Sequence, residues 1–204
     1  MRWHTICTRN ALINGNYTLI KNNSKYLVPK EIAADYGSLS DEILMRILYR
    51  RFMRLRPFVS CRKMVRDTYT DYLRYKFKVE DYDLKRSLIF KESSNASVKE
   101  QVWNSLTFVT KAVTYLPETA VVKWDLARDN TTCRQILKNI LTMEYQKASE
   151  IGQAAKRKSK SNPYSDLKLR FNHIRNCDSS ASFRAFGEFD ISLLYLNEML
   201  RTRL

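Results

Sequence analysis

Ser40-Asp41-Glu42-Ile43-Leu44-Met45-Arg46-Ile47-Leu48-Tyr49-Arg50-Arg51-Phe52-Met53-Arg54-Leu55-Arg56-Pro57 is the stretch that decides the fold. Leu44, Leu48, Phe52 and Leu55 recur at helical spacing and mark one apolar face. Ser38 and Ser40 offer capping hydroxyls, and Asp41 and Glu42 put carboxylates at the positive end of the helix dipole. Pro57, which lacks an N–H, is expected to close the element. Arg46, Arg50 and Arg54 step by four along another face, flanked by Arg51 and Arg56. The segment reads as an amphipathic helix with a stacked cationic stripe.

A second helix is expected from Ser60 to about Phe77, with Val65, Tyr69, Tyr72, Leu73 and Phe77 on one broad face. Asp67 and Asp71 are placed to pair with the neighbouring arginines. A short helical piece spans the region of Tyr82 to Phe90, followed by a surface loop at Ser93–Ser97. Val98, Val102, Leu106, Val109 and Val113 define a third helix, ended by Leu116-Pro117. A fourth should follow the capping cluster Asp129-Asn130-Thr131-Thr132, carry Ile136, Leu137, Ile140, Leu141, Tyr145 and Ala148, and fray near Gly152. Residues 156–163 read as a solvated basic loop. A last helix, capped near Asp190, carries Phe189, Leu193, Leu196 and Leu200. The expected fold is all-α: an antiparallel helical bundle with short connections that continues into C-terminal helices, residues 38–204 forming one domain.

The 204 residues carry 36 Lys and Arg against 21 Asp and Glu, a net charge of +15. With 44% apolar and 12% aromatic residues, the chain can bury a core and is not a disordered polymer. Four Gly and four Pro are too few for the many turns of a β-sandwich. No apolar run approaches the ~18 residues a membrane span needs. The basic excess calls for an anionic partner or an anionic compartment. Much of it is local, since residues 44–91 hold fourteen basic residues against five acidic, interleaved with Tyr49, Phe52, Tyr69, Tyr72, Tyr75, Phe77 and Tyr82.

Catalytic signatures are missing. Cys7, Cys61, Cys133 and Cys177 lie far apart, as do His4 and His173, so no clustered metal ligands exist. Four reduced, mostly buried thiols are expected. Ser60-Cys61-Arg62-Lys63 fits the SxxK pattern, but a serine at a helix start is explained by capping. No glycine-rich phosphate loop or GxSxG elbow occurs. The expectation is no catalytic residue, no cofactor, no metal and no enzyme.

Residues 1–30 contain Arg2, Arg9, Lys21, Lys25 and Lys30 and no acid, with Thr5, Thr8, Thr18 and Ser24 interspersed. That composition suits a mitochondrial targeting segment, drawn inward by a matrix-negative potential. The competing reading is a basic arm, residues 1–37, in which Tyr17–Ile20 and Tyr26–Val28 form short extended pieces. For the basic block, the readings are nucleic acid, through phosphate neutralisation and base stacking, an acidic protein partner, or a solvated helix face.

The triplet Leu48-Tyr49-Arg50, followed by Phe77 in Tyr72-Leu73-Arg74-Tyr75-Lys76-Phe77, resembles the LYR-motif family of small mitochondrial helical adaptors over residues 44–90. The resemblance implies a three-helix bundle that binds the acidic mitochondrial acyl carrier protein, whose phosphate meets the basic face and whose acyl chain enters the bundle. Leu48, Tyr49, Arg50 and Phe77 would be its motif residues, with Arg46, Arg51 and Arg54 as neighbours for the acidic contact. A second resemblance spans nearly the whole chain. The strings YTLIK, YRRFMRLRPFVS, KMVRDTYTDYLRYKF, YLPET, KWDLARDNTTCRQILKN and YLNEMLRTRL are similar to the fungal increased recombination centers protein 19 family. This implies a factor in mitochondrial DNA maintenance, respiratory growth, sporulation and genome integrity, and with the acid-free N-terminus and the LYR-like helix the expected location is the mitochondrion, in its matrix. It supplies no catalytic residues, and the YTLIK block lies within the match.

Overall fold

The computed structural model describes residues 6–7, 11–14, 17–20, 24–27, 39–92, 96–113, 124–156, 171–175 and 181–204. Helices dominate: α1 (Asp41–Val59), α2 (Lys63–Lys78), α3 (Tyr82–Ser87), α4 (Val98–Val113), α5 (Trp124–Lys156), α6 (Asn172–Arg175) and α7 (Ala181–Leu200). Ahead of them stand four short strands, β1 (Ile6–Cys7), β2 (Ala11–Asn14), β3 (Tyr17–Ile20) and β4 (Ser24–Leu27). They pair antiparallel in chain order, with Asn14 opposite Tyr17 and Ile20 opposite Ser24. The extended pieces expected at Tyr17–Ile20 and near Tyr26 fall in β3 and β4. β1 and β2 have no counterpart among the expected elements.

α1 forms as its pattern requires. Ser40 is extended, its carbonyl accepts from the Leu44 N–H at 3.0 Å, and Leu44, Leu48, Phe52 and Leu55 are all buried. Pro57 does not close it. The helix continues through Pro57 to Val59, since Phe58 and Val59 still pack against the core and only one hydrogen bond is forgone in the last turn. α2 begins at Lys63, three residues later than expected. The Ser60 hydroxyl accepts from the Arg62 N–H at 3.1 Å, so Ser60 shapes the connecting turn rather than the helix cap. The two helices run antiparallel: the buried Tyr69 hydroxyl donates to the Phe52 carbonyl at 3.0 Å, and Arg56 meets Asp67 at 2.7 Å.

α4 occupies the expected residues, with Val102, Leu106, Val109 and Val113 buried. α5 differs at both ends. Asp129–Thr132 lie inside the helix, which begins at Trp124 and runs on through Gly152 to Lys156. Asn130 is 5% exposed, an interior position rather than a cap. α7 likewise begins nine residues before Asp190, which stands mid-helix and buried. The main core joins α1, α2, α4 and α5 around Leu48, Leu55, Tyr69, Leu106 and Ile140. A smaller cluster of Tyr82, Phe171, Ile174 and Leu194 joins α3, α6 and α7. Cys133 is buried, whereas Cys61 is exposed in the α1–α2 turn. The expected ends at Leu116-Pro117 and the basic loop beyond Lys156 lie outside the described residues, as do residues 93–95. Among the described residues, no helix is long and apolar enough to cross a membrane.

Candidate functional site

The helical period of α1 sends three consecutive residues to three environments. Leu48 is fully buried, Tyr49 is half-buried and Arg50 is exposed. Phe77, near the end of α2, meets Tyr49 with ring centroids 5.3 Å apart at 66°, and meets Phe52 at 5.6 Å. Both contacts are edge-to-face, the geometry favoured by the ring quadrupoles. The structure therefore brings Leu48, Tyr49 and Phe77 together at one end of the α1–α2 pair and leaves Arg50 facing outward. Arg46, Arg50 and Arg54 share the exposed stripe, with Arg51 half-buried beside it. Arg46 is already tied to Glu42, an exposed pair of small worth.

Beneath Phe77 lies a cavity of about 180 Å³ between α1, α2 and α4. Met45, Phe52, Leu73, Phe77, Val102 and Val109 give it mostly apolar walls, with Lys76 and Glu80 at one side. The arginine stripe does not line it. Residues 201–204 fold back to complete the wall. Leu204 donates its N–H to the Asn197 amide oxygen and accepts from the Asn197 amide nitrogen, each at 2.9 Å. Arg203 reaches Gln101 at 2.6 Å and Asp83 at 2.7 Å and lies 4.6 Å from the Tyr82 ring. Such a chamber can hold a narrow apolar group.

Next to this wall sits a buried ionic cluster absent from the sequence reading. Asp190 accepts from Lys147 at 2.7 Å through one oxygen, and contacts His173 at 2.6 Å and Lys85 at 3.3 Å through the other. Lys76 pairs with Glu80, and Lys147 also meets Glu144 at 3.1 Å. Every side chain in this set is at least 88% shielded from solvent. Burial opposes ionisation of Asp190, but Lys147, Lys85 and His173 outweigh it and hold the carboxyl well below the usual range. Burial lowers Lys76, partly offset by Glu80. It also pushes the Tyr72 phenol far up, with Glu80 adding to the effect. The hollow among these groups is about 10 Å³, room for one water at most. A carboxylate–imidazole couple closed off in this way positions helices and admits no substrate.

One signal could have exposed the cluster. Ile136, Ile140 and Lys147 share one apolar stripe on α5, and Phe183, Phe186, Asp190 and Leu194 share one on α7. A charge on the buried stripe of each of two helices asks for a partner on the other.

The basic block is thus not one surface. Lys76, Lys85 and Arg86 turn inward, Arg86 gripping both carboxylate oxygens of Glu198 at 2.7 and 3.0 Å. Arg50, Arg54, Arg62, Lys63, Lys78 and Lys91 remain exposed. Asp67 pairs with Arg56 across the hairpin as expected, whereas Asp71 meets Arg74 on its own helix. Among the described residues, no group of His, Cys, Asp and Glu could hold a metal.

The chain is 50% identical to increased recombination centers protein 19 of Zygosaccharomyces rouxii over 207 residues, covering all of both chains. It is 43% identical over 203 residues to the protein of that name from Vanderwaltozyma polyspora, covering 98% of this chain and 96% of that one. With the Saccharomyces cerevisiae strain YJM789 protein, identity is 42% over 230 residues, covering 98% and 97%. No solved structure matches it. The family model described as increased recombination centres protein 19 matches residues 6–204. Full-length similarity of this kind settles descent, and the chain belongs to the increased recombination centres protein 19 family.

Proposed function

We propose that this chain is a non-enzymatic factor in genome integrity that works in the mitochondrial matrix as an adaptor for an acidic, acyl-bearing carrier protein of the acyl carrier type. Through that partner it supports mitochondrial DNA maintenance, and with it respiratory growth and sporulation. The observation that carries the reading is the Tyr49–Phe77 contact, which joins the middle residue of the triplet to the wall of an apolar chamber, while Arg46, Arg50 and Arg54 stand exposed on another face of the same helix. The stripe supplies guanidiniums for carboxylates and a phosphate, where Arg outperforms Lys through its planar fork. At about 180 Å³ the chamber is below the roughly 300–1,000 Å³ of ordinary ligand pockets, so it has room for only a short apolar group. The relatives' name speaks of recombination centres, in line with a part in genome integrity, and the acid-free first thirty residues suit import.

The test is recovery of matrix acyl carrier protein with the tagged wild type and with Tyr49→Ala/Arg50→Ala. The adaptor reading expects recovery from the first and loss from the second. Equal recovery from both, or none from either, refutes it. A second reading, direct binding of mitochondrial DNA or ribosomal RNA, is favoured by the exposed Arg62, Lys63, Lys78 and Lys91. It expects affinity that falls steeply with salt, and fails if neither nucleic acid binds at low salt.

A further inference from the structure

Away from the Tyr49 face, α2 and α5 diverge around two adjoining hollows of about 540 and 500 Å³. Both are bordered by Met64, Thr68 and Tyr145, so together they form one trough. Along α5 it runs from Arg134 to Ala148, which at 1.5 Å per residue is about 21 Å. Along α2 it runs in the same direction, from Arg62 to Tyr72. Leu137, Leu141 and Val65 make its floor, while Met64 and Tyr145 stand at the mouth, 51% and 47% exposed. Large apolar side chains flanking a hollow of this length are unusual on a surface that meets only water.

The trough is polarised. Its first hollow is lined by Arg62, Arg134 and Lys138 and by no carboxylate. Arg134 gives its Nε–H to the Ala112 carbonyl at 3.1 Å, while Arg62 and Lys138 are exposed. The far hollow carries Asp67, Asp71 and Glu144 against the single lining cation Lys63, with Asp67 shared with Arg56, Asp71 with Arg74 and Glu144 held by Lys147. A helix laid in an apolar groove has a dipole with the same demand, a negative C-terminus and a positive N-terminus.

We propose that the α2–α5 trough is a docking groove for one amphipathic helix of a partner protein, seated with acidic C-terminal turns on Arg62 and Lys138 and its N-terminus toward Asp67 and Asp71. About fourteen residues fill the length. Met64 adapts to the apolar stripe, as its flexible thioether allows. The proposal is independent of the carrier-protein reading, since neither Tyr49 nor Phe77 lines the trough.

The experiment places a photocrosslinker in the full chain as Thr68→p-benzoylphenylalanine, in growing cells, and maps the crosslinked peptide by mass spectrometry. The expected peptide has apolar residues at helical i, i+3 or i+4, and i+7 spacing and an acidic C-terminal turn. Its yield should fall roughly tenfold when Arg62→Glu and Lys138→Glu are added, at an unchanged unfolding midpoint. The proposal is overturned by a crosslink to residues 114–123 of the same chain, to a second copy, to lipid or to nucleic acid. No crosslink, or a yield indifferent to the charge reversal, overturns it equally.

Discussion

The ring of Phe77 on α2 presents to the ring of Tyr49 on α1 edge-to-face at 5.3 Å, and through Phe52 the same ring touches the core. This contact ties the half-buried middle residue of the Leu48-Tyr49-Arg50 triplet to the wall of the apolar chamber. A double-mutant cycle with Tyr49→Leu and Phe77→Leu should show a coupling of about 0.5–1.5 kcal/mol in urea unfolding. Strict additivity would mean that the two rings are neighbours without mutual attraction.

The buried cluster makes a stronger demand. Lys147→Met leaves Asp190 short of its 2.7 Å partner and should cost about 3–5 kcal/mol, the usual penalty for breaking a buried pair. Arg46→Met, at an exposed pair, should cost less than about 1 kcal/mol. Chemical denaturation of both variants checks the ordering, and a Lys147→Met cost as small as that of Arg46→Met contradicts it.

Acid should act through the same carboxylate. Asp190 in the folded chain holds its proton less readily than in the unfolded chain, where its value is ordinary, about 3.9. Its stabilising contribution is therefore complete above that value and is lost as pH falls below it toward the depressed folded value. Unfolding free energy measured from pH 6 down to pH 3 should fall less steeply for Asp190→Asn than for wild type. Parallel slopes would remove Asp190 from the account of acid sensitivity.

Gly152 lies inside α5, exposed, and a Cβ there meets nothing within 4 Å. Gly152→Ala should raise stability by about 0.5–1 kcal/mol, because alanine loses less backbone freedom in a helix. A measurable loss would show that the helix does not continue through this position.

The sequence revealed most where one face of a helix was apolar and the rest was not. Leu44, Leu48, Phe52 and Leu55 are all buried as their spacing required, and the ladder from Val98 to Val113 forms α4 as read, buried from Val102 onward while Val98 at the helix start is exposed. It misled where a local signal met a stronger tertiary demand. Pro57 did not stop α1, Asp129–Thr132 did not start α5, and Asp190 did not cap α7. Capping residues are read from short-range chemistry, whereas the partners of Asp190 come from α3, α5 and α6, far apart in the chain. The family resemblance names Tyr49 and Phe77 as motif residues, but their meeting is read from the structure alone, since helical spacing says which residues face inward and not which rings meet.

Titration of purified chain with acyl carrier protein, loaded with a medium-length acyl chain or left unloaded, tests the adaptor function most directly. The loaded carrier should bind, the unloaded one should bind more weakly, and both should be lost in Tyr49→Ala/Arg50→Ala with the fold intact. Binding of neither form to the wild-type chain, or equal binding by the double variant, would contradict it.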